Sequence, residues 1–206
     1  MLALFPTLRV FFRIGHNHNQ ALIYHFEALK FEKQLHNDLG IGICYTNIAN
    51  VYDDLKASDS AIVNYKRALK FFDEKNSQYG VLLSNLAVTY KSLGKVKASE
   101  QNFIKSIAIN SSLKDTTSLM YNYNGIISLY LEYFDLKRVR PYLNNANKLL
   151  PSITDQRAIL SYYENEAEYY KKKGNYKKAL EFYEKFLKLY GTIYNSEQTE
   201  LVQNLQ

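Results

Sequence analysis

The sequence predicts an all-α superhelix (solenoid) of antiparallel helix pairs. Three observations predict it. Apolar and small residues recur with a fixed period: the anchors Ala21, Ala61, Ser99, Val139 and Ala179 stand 40, 38, 40 and 40 residues apart. Within each period the large residues lie three and four apart, the spacing that shares one helix face. Turn formers are scarce for an all-β chain, with three Pro and eight Gly in 206 residues.

Each copy has two halves. The first reads Tyr45-x2-Ile48-Ala49-x2-Tyr52, followed by Ala61-x3-Tyr65-x2-Ala68. Next come Leu83-x2-Leu86-Ala87-x2-Tyr90 and Ser99-x3-Phe103-x2-Ser106. Tyr123-x2-Ile126-Ile127-x2-Tyr130 and Val139-x3-Leu143-x2-Ala146 follow. The last full copy is Tyr163-x2-Glu166-Ala167-x2-Tyr170 with Ala179-x3-Tyr183-x2-Phe186. A partial copy ends in Ala21-x3-His25-x2-Ala28. The small residue of the first half always leads that of the second by 12 positions.

This pattern resembles the tetratricopeptide repeat, whose usual period is about 34 residues. Small residues let the paired helices approach closely, and aromatics fill the space beside them. The additional residues fall between repeats, so the helices are expected to be longer there by about half a turn to one turn. Helices are predicted over 7–14, 18–35, 42–55, 58–74, 79–93, 96–111, 116–132, 135–149, 156–173, 176–190 and 193–206. The chain is thus expected to be one array over 1–206: a partial repeat at 1–37, repeats at 42–75, 79–112, 116–150 and 156–190, and a terminal helix at 193–206. Gly15-His16-Asn17, Ala57-Ser58-Asp59, Gly94-Lys95 and Gly174-Asn175 supply turns. Pro141 is expected in the first turn of its helix, where a missing N–H is tolerated.

The ends carry further expectations. Leu2, Leu4 and Phe5 precede a helical stub and either cover the first repeat or mark a truncated start. Ile193, Tyr194, Leu201, Val202 and Leu205 form a loose stripe, read as a capping helix or as the start of a longer one. With Tyr194-Asn195-Ser196-Glu197 and the period near 40, the chain is similar to the repeat-containing sensor regions of bacterial histidine kinases and transcriptional regulators. That resemblance implies an input region in signal transduction.

The resemblance also implies a concave groove lined by the first helices. Groove candidates are Asn47, Asn50, Asp54, Asn85, Tyr121, Asn124, Asn165 and Lys172. Thr46, Asp53, Ser84, Val88, Lys91, Ser128, Leu131, Glu164, Glu168 and Lys171 stand beside them, and Tyr169 is a further candidate. Amide side chains both donate to and accept from an extended peptide backbone. The alternative is that the asparagines bond between helices and touch no ligand. Asn50 has no Lys or Arg beside it, which argues against the carboxylate-clamp variety of this groove.

Other function classes find little support. The net charge is +6, spread evenly along the chain. A nucleic-acid binder concentrates basic residues on one face. The run Lys171, Lys172, Lys173, Lys177 and Lys178 lies among glutamates and reads as a solvated helix surface. One cysteine, Cys44, excludes an internal disulfide and reads as a small buried hydrophobe. His16, His18, His25 and His36 lack the spacing and neighbours of a metal site. Asp53-Asp54 and Glu164-x-Glu166-x-Glu168 are at helix-surface spacings, and no catalytic triad, phosphate loop or cofactor motif is present. The start lacks a signal peptide's basic region and cleavage site, and no apolar stretch is long enough for a membrane helix. The expected protein is a non-catalytic binder of a protein or peptide, without cofactor, metal or nucleic acid. Its expected compartment is the cytoplasm, or the extracytoplasmic side if the chain belongs to a longer membrane protein.

Overall fold

The computed structural model describes residues 18–133 and 136–204, and among them there is no strand. The helices are α1 (His18–Gln34), α2 (Asp38–Asp54), α3 (Ser58–Ala68), α4 (Ser77–Ser92), α5 (Val96–Ser112), α6 (Thr116–Tyr133), α7 (Leu136–Leu149), α8 (Gln156–Lys172) and α9 (Tyr176–Asn204). The fold class is the expected all-α arrangement of helix pairs. The stub at 7–14, the apolar tail and His16 lie outside the described residues.

The chain divides within α5 into two compact units, 1–102 and 103–206. In the first unit, Ala49 and Ala61 are fully buried where α2 meets α3. Around them Ile62, Tyr65, Ala68 and Phe72 pack with Leu82 and Leu86 of α4. This helix pair therefore uses a second face to stack on the following first helix. A smaller cluster joins Leu29 of α1 to Ile41, Cys44 and Ile48 of α2. Ser99 takes the small-residue position against Ala87, and its hydroxyl donates to the Ala87 carbonyl at 2.7 Å.

In the second unit, Ile126, Ile127, Val139, Leu143 and Ala146 are buried between α6 and α7. Ala167 and Ala179 make the close approach of α8 and α9. Gly125 allows the Phe103 ring to sit against α6: a Cβ there would collide with the ring edge. Tyr130 meets Tyr142 edge-on at 5.6 Å, and Tyr170 stacks on Phe182 at 5.8 Å.

The additional residues between repeats bring in the cap of the next first helix. Each first helix is entered through an Asx cap: Asn37, Asn76, Asp115 and Asp155 accept from Gly40, Gln78, Ser118 and Ala158 backbone N–H groups. The cap fixes the start of α2 at Asp38 and of α4 at Ser77, ahead of the expected 42 and 79. In the turns within repeats, Gly94 and Gly174 adopt left-handed φ of 65° and 74°. Lys56 does the same work at φ 60° without being glycine.

Four expectations need correction. The helix predicted over 58–74 ends at Ala68, followed by a 3-10 turn, Leu69–Phe71. Phe72 is extended there so that its ring enters the core. Pro141 is an interior residue of α7, not a first-turn residue, because the helix already begins at Leu136. It has no N–H to offer the carbonyl of Lys137. The break between 190 and 193 is absent, since α9 runs unbroken through Gly191. No left-handed residue or proline stands there to stop it. Tyr169 does not face a groove; it is 4% exposed.

Candidate functional site

The first helices carry the candidate site. In the first unit, the half-buried Asn50 of α2 holds its carbonyl oxygen toward two donors. These are the Tyr65 hydroxyl at 2.8 Å and the Asn85 amide of α4 at 3.5 Å. One turn later, the buried Thr89 hydroxyl lies 3.2 Å from both oxygens of Asp53 and 3.0 Å from the Asn85 carbonyl. Burial pushes the Asp53 carboxyl above its ordinary value, opposed by the Thr89 hydrogen bond and Lys56. Asn50, Asp53, Asn85 and Thr89 thus bind neighbouring first helices together.

Asn47 is half-buried and Asp54 exposed; with Asn50, His18 and His25 they line a crevice of ≈ 20 Å³. Thr46 donates back to the Gly42 carbonyl of its own helix at 2.9 Å. His25 is buried at its packing position, as expected. Cys44 is buried too, and burial, with Glu32 nearby, pushes its thiol up to about 11. An inert thiol follows, because the thiolate is the reactive form.

The second unit repeats the arrangement with different atoms. Asn124 of α6 donates to the Ala158 carbonyl at 2.8 Å, and Asn165 of α8 donates to the Asn124 carbonyl at 3.1 Å. Both asparagines are buried. Tyr121 is 41% exposed and donates to Asp155 at 2.8 Å, tying α6 to the cap of α8. Burial and the Asp155 carboxylate push its hydroxyl up to about 12.

Beside this ladder lies an open cleft of ≈ 380 Å³ lined by Ser128, Leu131, Glu132, Glu164, Asn165, Glu168, Lys172 and Tyr183. Three carboxylates and one ammonium therefore face the same space. Glu168 stands 3.1 Å from Lys171 and 3.9 Å from Lys172. Glu164 is exposed. The cleft offers acceptors, one cation, a hydroxyl, an amide and an aromatic edge. Those groups suit binding of a polar extended chain.

Of the sequence candidates, Glu164, Glu168, Ser128, Leu131, Asn165 and Lys172 come together at the cleft. Asn47, Asn50 and Asp54 gather at the small crevice of the first unit. Asn85 and Asn124 are engaged between helices, while Val88 is exposed on α4. Glu132 and Tyr183 were not among the groove candidates; each lies one position or one helix away from the stripe that flagged the others. Among the described residues, no group of three or more His, Cys, Asp or Glu is placed to hold a metal ion. None of their helices is long and apolar enough to cross a membrane.

Comparison with known proteins agrees with this geometry. Tetratricopeptide-repeat profiles match residues 44–72 and 160–192, and a second profile of the same name matches 81–112. Response regulator aspartate phosphatase J of Bacillus subtilis (strain 168) is 26% identical over 161 residues, covering 74% of this chain. The chain spans 43% of that relative's length. The crystal structure of BtubC (BKLC) from P. vanneervenii superposes with a TM-score of 0.80 at 19% identity, over 94% of this chain and 81% of that one. A Rap protein complexed with competence and sporulation factor gives 0.64 at 18% identity, over 89% of this chain and 50% of that one. The matched segments fall on α2–α3, α4–α5 and α8–α9, so each of these helix pairs resembles a tetratricopeptide repeat.

Proposed function

We propose that the chain is a non-catalytic binding module whose first-helix faces take an extended segment of another protein. The observation that carries this reading is the cleft beside α6 and α8. Its buried Asn165 amide is held by a hydrogen bond to the Asn124 carbonyl, while its Glu164 and Lys172 side chains are exposed. A preformed, hydrogen-bonded lining lowers the ordering cost of binding. Repeat folds of this kind offer extended surfaces for such ligands. The Rap structure complexed with a factor supports the same reading by analogy of fold.

The segment bound is polar and carries both a cation, for Glu132, Glu164 and Glu168, and an acceptor for Lys172. Selection of peptides from a random displayed library on immobilised protein supplies a probe. The selected peptide is then titrated against the wild type and against Glu164→Lys and Lys172→Glu. The expected result is a loss of about tenfold or more in affinity for each variant, or about 1.4 kcal/mol. Unchanged affinity in both would refute the site.

A second reading, an input region of a bacterial signal-transduction protein, is favoured by α9. It is a 29-residue helix that carries Tyr194-Asn195-Ser196-Glu197 in unbroken helical backbone.

A further inference from the structure

Two positions set the contact of α2 with α4 apart from the other repeats. Counting from the small-residue positions Ala49, Ala87, Ile127 and Ala167, Thr89 takes the place that Val51, Leu129 and Tyr169 hold in the other full repeats. All four are buried, and Thr89 has no exposed surface. By the same count Asp53 takes the place of Lys91, Leu131 and Lys171. A buried hydroxyl and a half-buried carboxyl therefore meet between two successive first helices.

Counting hydrogens gives this pair two states. The Thr89 hydroxyl has one hydrogen and three oxygens within reach: both Asp53 oxygens at 3.2 Å and the Asn85 carbonyl at 3.0 Å. With Asp53 ionised, that hydrogen is shared among acceptors. The bond to the carboxylate is then weak, since 3.2 Å is long for a hydroxyl on a carboxylate, where about 2.5–2.7 Å is usual. With a proton on Asp53, the carboxyl O–H donates to the Thr89 oxygen, and the Thr89 hydroxyl donates to Asn85. The protonated state has one hydrogen bond more and no charge held away from water.

The groups around Asp53 set when the proton binds. Burial and the exposed Asp54 beside it on α2 favour the proton, while Lys56 in the following turn opposes it. Lys56 does so from a left-handed backbone at φ 60°, where the matching turns of two other repeats have Gly94 and Gly174. Tyr65 of α3 also faces Asp53; its hydroxyl donates to Asn50. From α4 come Thr89 and Asn85.

We propose that Asp53 and Thr89 form a proton-operated stitch between α2 and α4: a proton on Asp53 tightens these first helices, and its loss loosens them. The Asp53 pKa lies above its ordinary value of 3.8, so the folded chain holds this proton more tightly than the unfolded chain. The added stability is complete below the unfolded value and is lost as pH rises through the folded one.

Hydrogen exchange of the full chain from about pH 3 to about pH 7, read at α2 and α4 and compared at each pH with Asp53→Asn, tests this. The asparagine amide donates to Thr89 as the protonated acid does. Circular dichroism confirms that each variant folds. The wild type is expected to match Asp53→Asn at the acid end and to exchange about threefold to tenfold faster at the neutral end. Lys56→Gly moves that step to higher pH, because it removes the opposing charge. Thr89→Val makes the step smaller, and Thr89→Ser, which keeps the hydroxyl, restores it. A wild type that tracks Asp53→Asn at every pH overturns the proposal. So does a step that Lys56→Gly leaves in place, or one that Thr89→Val leaves undiminished.

Discussion

Single positions decide how closely the helices approach and how the protein responds to pH. Ala61 has no exposed surface between α2 and α3. Ala61→Leu is expected to destabilise by about 1–3 kcal/mol through overpacking, read from chemical denaturation. Glu166 stands where a repeat of this kind usually has leucine, and it is buried. Its carboxylate accepts from the Tyr162 hydroxyl at 2.7 Å. Burial nevertheless raises its pKa above 4.5, against the lowering effects of Tyr162, Arg140, Lys178 and Lys185. A raised value means the folded chain holds this proton more tightly than the unfolded chain does. The stability it contributes is complete below the unfolded pKa and is lost as pH rises through the folded one. Glu166→Gln keeps an acceptor for Tyr162 without a charge. It is expected to be more stable than the wild type near neutral pH, with the advantage fading toward about pH 4 in thermal melts.

At the level of helices, the sequence carried the pairing and missed the caps and one junction. The spacing of 12 places the buried small residues that face each other within a repeat, such as Ala49 with Ala61 and Ala167 with Ala179, and these were legible because packing repeats with the helix. The caps Asn37, Asn76, Asp115 and Asp155 recur with nearly the same period, yet each is a single polar residue among many. Their role shows only when the first-turn N–H groups point at them. The cleft was half legible for a similar reason. Glu164, Asn165, Glu168 and Lys172 follow the helix face, whereas Tyr183 reaches the cleft from another helix, which no spacing encodes. The helices expected over 176–190 and 193–206 leave a break at Gly191, but a Cβ there would meet open space and the helix continues. Glycine in a helix interior costs about 1 kcal/mol relative to alanine. Gly191→Ala is therefore expected to stabilise α9 by up to about 1 kcal/mol, seen as slower hydrogen exchange around residues 187–195.

For the molecule as a whole, the polar residues of the first helices fall into two groups with different work. Asn50, Asn85, Asn124 and Asn165 bond between successive first helices and hold the spacing of the repeats. Glu164 and Lys172 lie exposed at the cleft and remain available to a ligand. Alanine at the buried asparagines is thus a test of stability, and substitution at the exposed pair is a test of binding. The measurement that separates these most directly is hydrogen exchange of the chain with and without a peptide selected on it. Protection is expected along the cleft, over residues 124–132 of α6 and 161–172 of α8. Protection confined to α7, or none at saturating peptide, would contradict binding on the first-helix face.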